Sequence, residues 1–199
     1  IVPAASAITS VAGLRGQKVA FTKGSNAHYL LVKALEKAGL KYSDINTVTL
    51  APADARAAFE RGSVDAWSIW DPFLAAAEKQ LKARVLANGT GIVSNHQFYL
   101  AARSYAQKNP QILQILTEEL AKVDEWGGRN HAEVAALLGP LTGLEPAVTE
   151  LAARRLPYGV KPVTREVIAE QQRIADTFAP LKLIPKKIDV SRALLANIS

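Results

Sequence analysis

The feature that most constrains this 199-residue chain is a change in its hydrophobic pattern near the midpoint. From Gly16 to Arg103, short β-type runs alternate with segments whose apolar residues recur at helical spacing. From Ser104 onward only the helical pattern continues. Alternating strands and helices are typical of a layer built on a largely parallel sheet, so we predict an α/β lobe followed by a helical half.

The alternating half predicts five strands and three helices. The strands are predicted at 18–21, 47–50, 64–70, 84–87 and 98–102, and the helices at 27–38, 53–61 and 72–82. In the second half, Asn109-Pro110 predicts the start of a helix, and Gly139-Pro140 predicts the end of the next one. A further helix is predicted at 146–155, and Thr164 is predicted to cap the last long helix.

Several classes of protein are excluded by composition and by missing motifs. Cysteine is absent, which excludes disulfides and cysteine-based metal sites or nucleophiles. The histidines, His28, His96 and His131, have no partner at metal-ligand spacing, so we predict no metal site, no cofactor and no catalysis. The net charge is +6, but the basic residues are scattered and are not interleaved with aromatic residues. We therefore predict no nucleic-acid binding.

The loop between the first predicted strand and helix contains the first candidate site. Gly24 permits close backbone approach, and Ser25 is placed to cap the helix. The N–H groups of a first helical turn favour an anion, and open α/β sheets bind ligands at the carboxyl ends of their strands. Two interpretations stay open: an anion site at this loop, or an ordinary cap in which Ser25 accepts the N–H of His28.

The second candidate site lies where the third predicted strand ends. Asp71-Pro72 is typical of a helix cap followed by a first-turn proline, and the residues alone favour that interpretation for Asp71. Strand alternation puts Trp67 and Trp70 on opposite faces. We predict that Trp67 packs in the core, and that Trp70 forms an apolar wall for the carbon part of a ligand.

Taken in order, these segments resemble the periplasmic aliphatic sulfonate-binding proteins of ABC importers, within the nitrate/sulfonate/taurine-binding group. The resemblance runs from Leu14 to Lys187 and is carried by Lys23-Gly24-Ser25-x-x-His28, Pro52 to Phe59, Gly62 to Pro72 and Phe98 to Arg103. It implies an α/β fold of the type 2 periplasmic binding protein class. It also implies ligand-binding roles for Gly24, Ser25, Asn26, His28, Trp70 and Asp71.

The family has two lobes around a ligand cleft. The resemblance implies that 12–97 form the second α/β lobe, and that 98–199 form the hinge strand and C-terminal helices, which return to the first lobe. The opening first-lobe segment of the family has no counterpart in this sequence. We therefore expect the helices after Ser104 to expose apolar faces, and the chain alone to self-associate and to bind sulfonates weakly.

The resemblance further implies a function in transport. The expected protein is a periplasmic solute-binding component that takes up an alkanesulfonate for sulfur supply, docks on a membrane permease, and is a monomer when full length. Other small anions, namely taurine, nitrate or bicarbonate, remain alternatives as ligands. A further alternative is an enzyme or an effector domain with the same fold.

Overall fold

The computed structural model describes residues 1–195, which divide into two compact units. The first unit comprises Ile1–Asn95 with Ala135–Ala152, and the second comprises His96–Val134 with the chain from Ala153 onward. The change of unit after Asn95 lies two residues before the predicted lobe boundary. The grouping of residues 1–11 and 135–152 with the first unit was not predicted. The assignment of 12–97 and 98–199 to different lobes stays a prediction.

A three-stranded parallel sheet lies at the centre of the first unit. Its strands are β1 (Lys18–Phe21), β2 (Asn46–Thr49) and β3 (Ala66–Trp67), in the order β2-β1-β3. In register, Ala20 of β1 lies opposite Val48 on one side and Trp67 on the other. The predicted parallel sheet is therefore confirmed.

Two of the five predicted strands are wrong, and a third is much shorter than predicted. At 84–87, Arg84 makes only an isolated antiparallel bridge with Val2. The segment 98–102 has no strand partner among residues 1–195, and Leu100 within it is 91% exposed. A strand needs a neighbouring backbone for its hydrogen bonds, so an apolar run of suitable length does not form one by itself.

Three helices complete the α/β layer of the first unit. They are α1 (Asn26–Lys37), α2 (Pro52–Glu60) and α3 (Phe73–Leu81). Side chains alternate along β1, so that Val19 and Phe21 join one buried cluster with Leu35 of α1. Ala20 joins the other cluster with Trp67 and residues of α2. The sheet is thus covered by a core on each face, as parallel sheets require.

The first of the remaining helices was not predicted, and the others follow the predicted positions with one correction. They are α4 (Arg103–Lys108), α5 (Pro110–Arg129), α6 (His131–Thr142), α7 (Pro146–Arg155) and α8 (Arg165–Phe178). Helix α6 does not end at Gly139-Pro140. It continues to Thr142, whose Oγ1 donates to the carbonyl of Leu138 at 2.8 Å, and Gly143 follows it with φ +67°. Proline this near a C-terminus costs only one helical hydrogen bond, and the glycine ends the helix.

The second unit contains α4, α5 and α8, together with the first residues of α6 and the last of α7. Thr164 accepts the N–H of Val167, which confirms the predicted cap of α8. The expected exposure of apolar residues is confirmed for α5. Its exposed apolar side chains are Ile112, Ile115, Leu116, Val123 and Trp126. Within residues 1–195, no helix is both long enough and apolar enough to cross a membrane.

Candidate anion-binding site

The site loop connects the end of β1 at Phe21 to the start of α1 at Asn26. Thr22 Oγ1 donates to the carbonyl of Leu50 at 3.0 Å, and the N–H of Leu50 donates to the carbonyl of Phe21 at the same distance. These bonds fix the carboxyl ends of β1 and β2 beside each other. The loop therefore leaves the sheet at the edge where open α/β sheets bind ligands.

Ser25 is the N-cap of α1, as one of the two sequence interpretations predicts. Its Oγ accepts the N–H of His28 at 3.1 Å and donates its proton to the carbonyl of Thr22 at 2.7 Å. A hydroxyl has a single proton, so Ser25 can donate to a bound anion only after turning away from Thr22. The cap is confirmed, and direct contact of Ser25 with a ligand stays a prediction.

Gly24 is exposed and has φ +76°, a backbone conformation that favours glycine. No heavy atom lies within 4 Å of the position that a Cβ would take, so the backbone conformation, and not lack of space, requires glycine here. The N–H of Gly24 donates to Nδ1 of His28 at 3.1 Å. That donor is therefore already used inside the protein.

His28 lies behind the loop and not at its surface. Its side chain is 0% exposed, and its ring stacks on Phe21 with 4.3 Å between ring centroids. Nε2 lies 3.0 Å from the hydroxyl of Tyr42. Burial, and secondly the charge of Lys23, lower the pKa of His28 from 6.5 to about 4. The imidazole is thus neutral near pH 7 and supports the loop from within. Its ligand-binding role stays a prediction, and because the side chain is buried, that role would be indirect.

Asn26 contributes an N–H that remains free to bind a ligand. Its side chain donates to Asn95 Oδ1 at 2.8 Å and accepts the N–H of Ala27 at 3.0 Å. Of the N–H groups from Ser25 to His28, only that of Asn26 has no acceptor within residues 1–195. The exposed Lys23 lies close by in sequence. The loop therefore presents one free donor at the positive end of a 12-residue helix.

Trp70 and Asp71 are placed near this loop by Ser68. The Ser68 hydroxyl donates to the carbonyl of Ala27 at 2.8 Å, which joins the segment after β3 to the first turn of α1. Trp70 follows two residues later, within about 7 Å along the chain. It is half-buried, and its ring meets that of Phe73 edge-on at 6.1 Å. Its contact with a ligand stays a prediction.

Asp71 supports α3 much as the sequence predicted. Its Oδ1 accepts the N–H of Ala75 at 2.9 Å, so the carboxylate serves the first turn of the helix. The cap position itself is Pro72, one residue later than predicted, and the Asp71–Pro72 peptide bond is cis. Trp67 is 1% exposed and packs against Phe59, which confirms its predicted place in the core.

Sequence reasoning missed Tyr42, Asn95 and Ser68, which hold the loop and its helix. Tyr42 is 14 residues from His28 and Asn95 is 69 residues from Asn26. No local spacing links such positions. Side chains from separate elements therefore complete the candidate site. No group of three or more metal-ligating side chains occurs within residues 1–195.

Comparison with known proteins gives consistent results. The chain is 45% identical over 190 residues to a curated aliphatic sulfonates-binding protein of Escherichia coli, covering 95% of this chain and 60% of that one. The crystal structure of the periplasmic aliphatic sulphonate binding protein SsuA from Escherichia coli matches with a TM-score of 0.91 at 45% identity, over 98% of this chain and 63% of that one.

A second solved structure is the alkanesulfonate-binding protein SsuA from Xanthomonas axonopodis pv. citri bound to MOPS. It matches with a TM-score of 0.88 at 42% identity, over 98% of this chain and 68% of that one. These likenesses confirm the predicted fold class. The chain spans about 60% of the length of the curated relative. The model described as NMT1/THI5 like matches residues 1–122, and the chain belongs to this family.

Proposed function

We propose that this chain is part of the solute-binding component of an ABC importer and binds an alkanesulfonate at the N-terminus of α1. The observation that carries the proposal is the unused N–H of Asn26 in an exposed loop. The names of its relatives at 42–45% identity, which are binding proteins for aliphatic sulfonates, support the choice of ligand. One of those relatives was crystallised with MOPS, which is itself a sulfonate.

The chemistry of a sulfonate suits this loop. The group carries a permanent negative charge and three acceptor oxygens, so that N–H donors and a helix N-terminus bind it without proton transfer. The N–H of Asn26 and the charge of Lys23 are the groups proposed to meet the anion. The alkyl chain would lie along Trp70, which would remove apolar surface from water. No step requires a nucleophile or a metal, so we propose binding without catalysis.

We also propose where the protein is located and which partners it has. The relative from Escherichia coli is named a periplasmic protein, and we propose the same compartment for this chain. Binding would close the two lobes of the whole protein around the ligand, and the closed form would dock on a membrane permease. We propose that the full-length protein acts as a monomer and does not bind nucleic acid.

A pair of variants at one position tests the role of the backbone donor. Asn26→Pro removes the N–H, and Asn26→Ala retains it while removing the same side chain. Proline is compatible with this first helical position, and Ser25 before it has the extended conformation that proline requires (φ −82°, ψ 169°). A hydrogen bond to a charged group contributes about 1.5–3 kcal/mol, so proline should weaken binding roughly 10- to 100-fold relative to alanine.

Calorimetry provides the measurement, with methanesulfonate, longer alkanesulfonates, taurine, nitrate and bicarbonate as ligands. It is made on the 199-residue chain and on the complete translation product of its gene. Affinity that rises with alkyl length would support a sulfonate site with an apolar wall. Equal affinity of the two variants would contradict the proposed donor. Tighter binding of nitrate or bicarbonate than of any sulfonate would instead identify another small anion as the ligand.

A further inference from the structure

We propose that Tyr42 and His28 are positioning residues, which together hold the Gly24 N–H inward so that the next free N–H, that of Asn26, faces an incoming anion. The inference rests on the proposed function in one respect, namely that this loop binds the anion. Neither residue is proposed to touch the ligand. The relay consists of three groups in series: the Tyr42 hydroxyl, the His28 imidazole and the Gly24 N–H.

The bonds of the relay determine the tautomer of the imidazole. A backbone N–H can only donate, so Nδ1 of His28 must accept from Gly24 at 3.1 Å. The proton of the neutral ring therefore lies on Nε2, which donates to the Tyr42 oxygen at 3.0 Å. Burial raises the pKa of Tyr42, so its hydroxyl stays protonated near pH 7, and a lone pair of its oxygen accepts the Nε2 proton. Every group in the series thus has a defined role.

The outer end of the relay is anchored independently of the loop. Tyr42 begins a short 3₁₀ turn (Tyr42–Asp44), in which the Asp44 carboxylate accepts the N–H of Lys41 at 2.9 Å. The Asp44 carbonyl accepts the N–H of Gly16 at 2.7 Å. The His28 ring also packs against both Tyr42 and Phe21, with ring centroids 5.5 and 4.3 Å away. The imidazole therefore has a fixed position from which to hold the loop.

The loop itself needs such a support. Gly24 is exposed, has φ +76°, and has no side chain to restrict its backbone. Its N–H has no other acceptor than His28 within residues 1–195. If the imidazole presented a proton at Nδ1, two donors would face each other and the loop would lose this bond. The tautomer with its proton on Nε2, which Tyr42 stabilises by accepting that proton, therefore keeps the loop in the conformation that leaves the Asn26 N–H exposed.

Three variants separate the parts of the relay. Tyr42→Phe removes the hydroxyl and keeps the ring. His28→Leu removes both nitrogens. His28→Asn keeps an acceptor, because its Oδ1 is bonded to Cγ just as Nδ1 is in histidine. Tyr105→Phe in the second unit, at a tyrosine that is 46% exposed, provides the control for loss of a phenol. If His28→Leu does not fold, Tyr42→Phe and His28→Asn still decide the question.

The first readouts do not depend on any ligand. Nitrogen NMR of the imidazole should show a proton on Nε2 in the unaltered protein, and a mixture of tautomers in Tyr42→Phe. Amide exchange at Gly24 should become several-fold faster in Tyr42→Phe and His28→Leu, and should stay slow in His28→Asn. A proton on Nδ1 in the unaltered protein, or Gly24 exchange unchanged in both disruptive variants, would overturn the relay.

Sulfonate affinity is the second readout. Loss of the support should weaken binding about three- to tenfold in Tyr42→Phe, roughly the effect of one neutral hydrogen bond. His28→Asn should bind more tightly than His28→Leu, and Tyr105→Phe should match the unaltered protein. Unchanged affinity in Tyr42→Phe, with faster exchange at Gly24, would overturn the link between relay and binding. If the unaltered protein binds no sulfonate, the proposed function fails, and the NMR and exchange results still decide the relay.

Discussion

The two units of this chain bury their apolar residues in different ways. In the first unit, a parallel sheet separates two buried clusters, and helices α1 to α3 supply apolar residues to them. In the second unit, α5 has an equally regular apolar pattern, yet Ile115 is 60% exposed and Val123 is 62% exposed. The comparison teaches that periodicity places apolar residues on one face of a helix, whereas a second layer is needed to bury that face.

The largest expected effect contrasts a buried leucine with an exposed isoleucine. Leu35→Ala in α1 removes a side chain that is 0% exposed, and should lower the free energy of unfolding by about 2–5 kcal/mol. Ile115→Ala in α5 should change it by no more than about 0.5 kcal/mol. Urea titrations followed by fluorescence measure both. Similar losses for the two variants would contradict the difference in burial between the units.

The second effect concerns acid and belongs to the first unit. The pKa of His28 is about 4 in the folded chain and 6.5 when unperturbed, so the unfolded state takes up a proton first as the pH falls. The free energy of unfolding should therefore decrease between about pH 6.5 and pH 4, with a slope of up to about 1.4 kcal/mol per pH unit. Below pH 4 both states are protonated and this contribution stops changing.

His28→Asn provides the comparison for the acid effect, because asparagine does not titrate. The two proteins are unfolded in urea at half-unit steps from pH 7.5 to 4.0, where the variant should show the smaller loss of stability. Parallel curves for the two proteins would show that His28 is not held neutral by the fold.

A smaller effect compares two helix caps, one in each unit. Ser25 caps α1 and Thr164 caps α8, each by accepting an N–H three residues later. Replacing either residue by alanine should cost about 0.5–2 kcal/mol of stability, the usual contribution of a cap. Only Ser25→Ala should also weaken sulfonate binding, since Thr164 is outside the proposed site. Loss of affinity in both variants would indicate a general effect of stability. Unchanged affinity in both would show that Ser25 acts only as a helix cap.

The smallest expected effect is a local change in amide exchange. It concerns two arginines whose side chains donate to backbone carbonyls of distant chain segments. In the first unit, Arg84 donates to the carbonyls of Ala4, Ser6 and Ile8. In the second unit, Arg103 donates to the carbonyls of Arg192 and Leu194. Alanine at either position should speed amide exchange in its own segment and leave the other segment unchanged, because hydrogen bonds at the surface protect locally. Faster exchange in both segments from one substitution would contradict this independence.

Much of the fold and part of the site could be predicted from local patterns. The first strand, the start of α1 and the cap at Ser25 depend on residues within a few positions of one another, and all are present. The parallel sheet followed from the alternation of strands and helices. The strand predicted at 98–102 is absent for a different reason. A strand depends on a partner strand, which the residues of the strand itself do not specify.

The sequence by itself determined where the candidate anion-binding loop lies, since a glycine able to adopt positive φ and a capping serine must sit between strand and helix. Only the tertiary structure decided which backbone N–H groups of the loop already donate to acceptors inside the protein. The resemblance places His28 among the ligand-binding residues, but the fold buries its ring against Phe21 and Tyr42, and its Nδ1 accepts the N–H of Gly24. The reason is physical: hydrogen bonds join atoms that are close in space, and Tyr42 comes close to His28 only when α1 packs against the sheet.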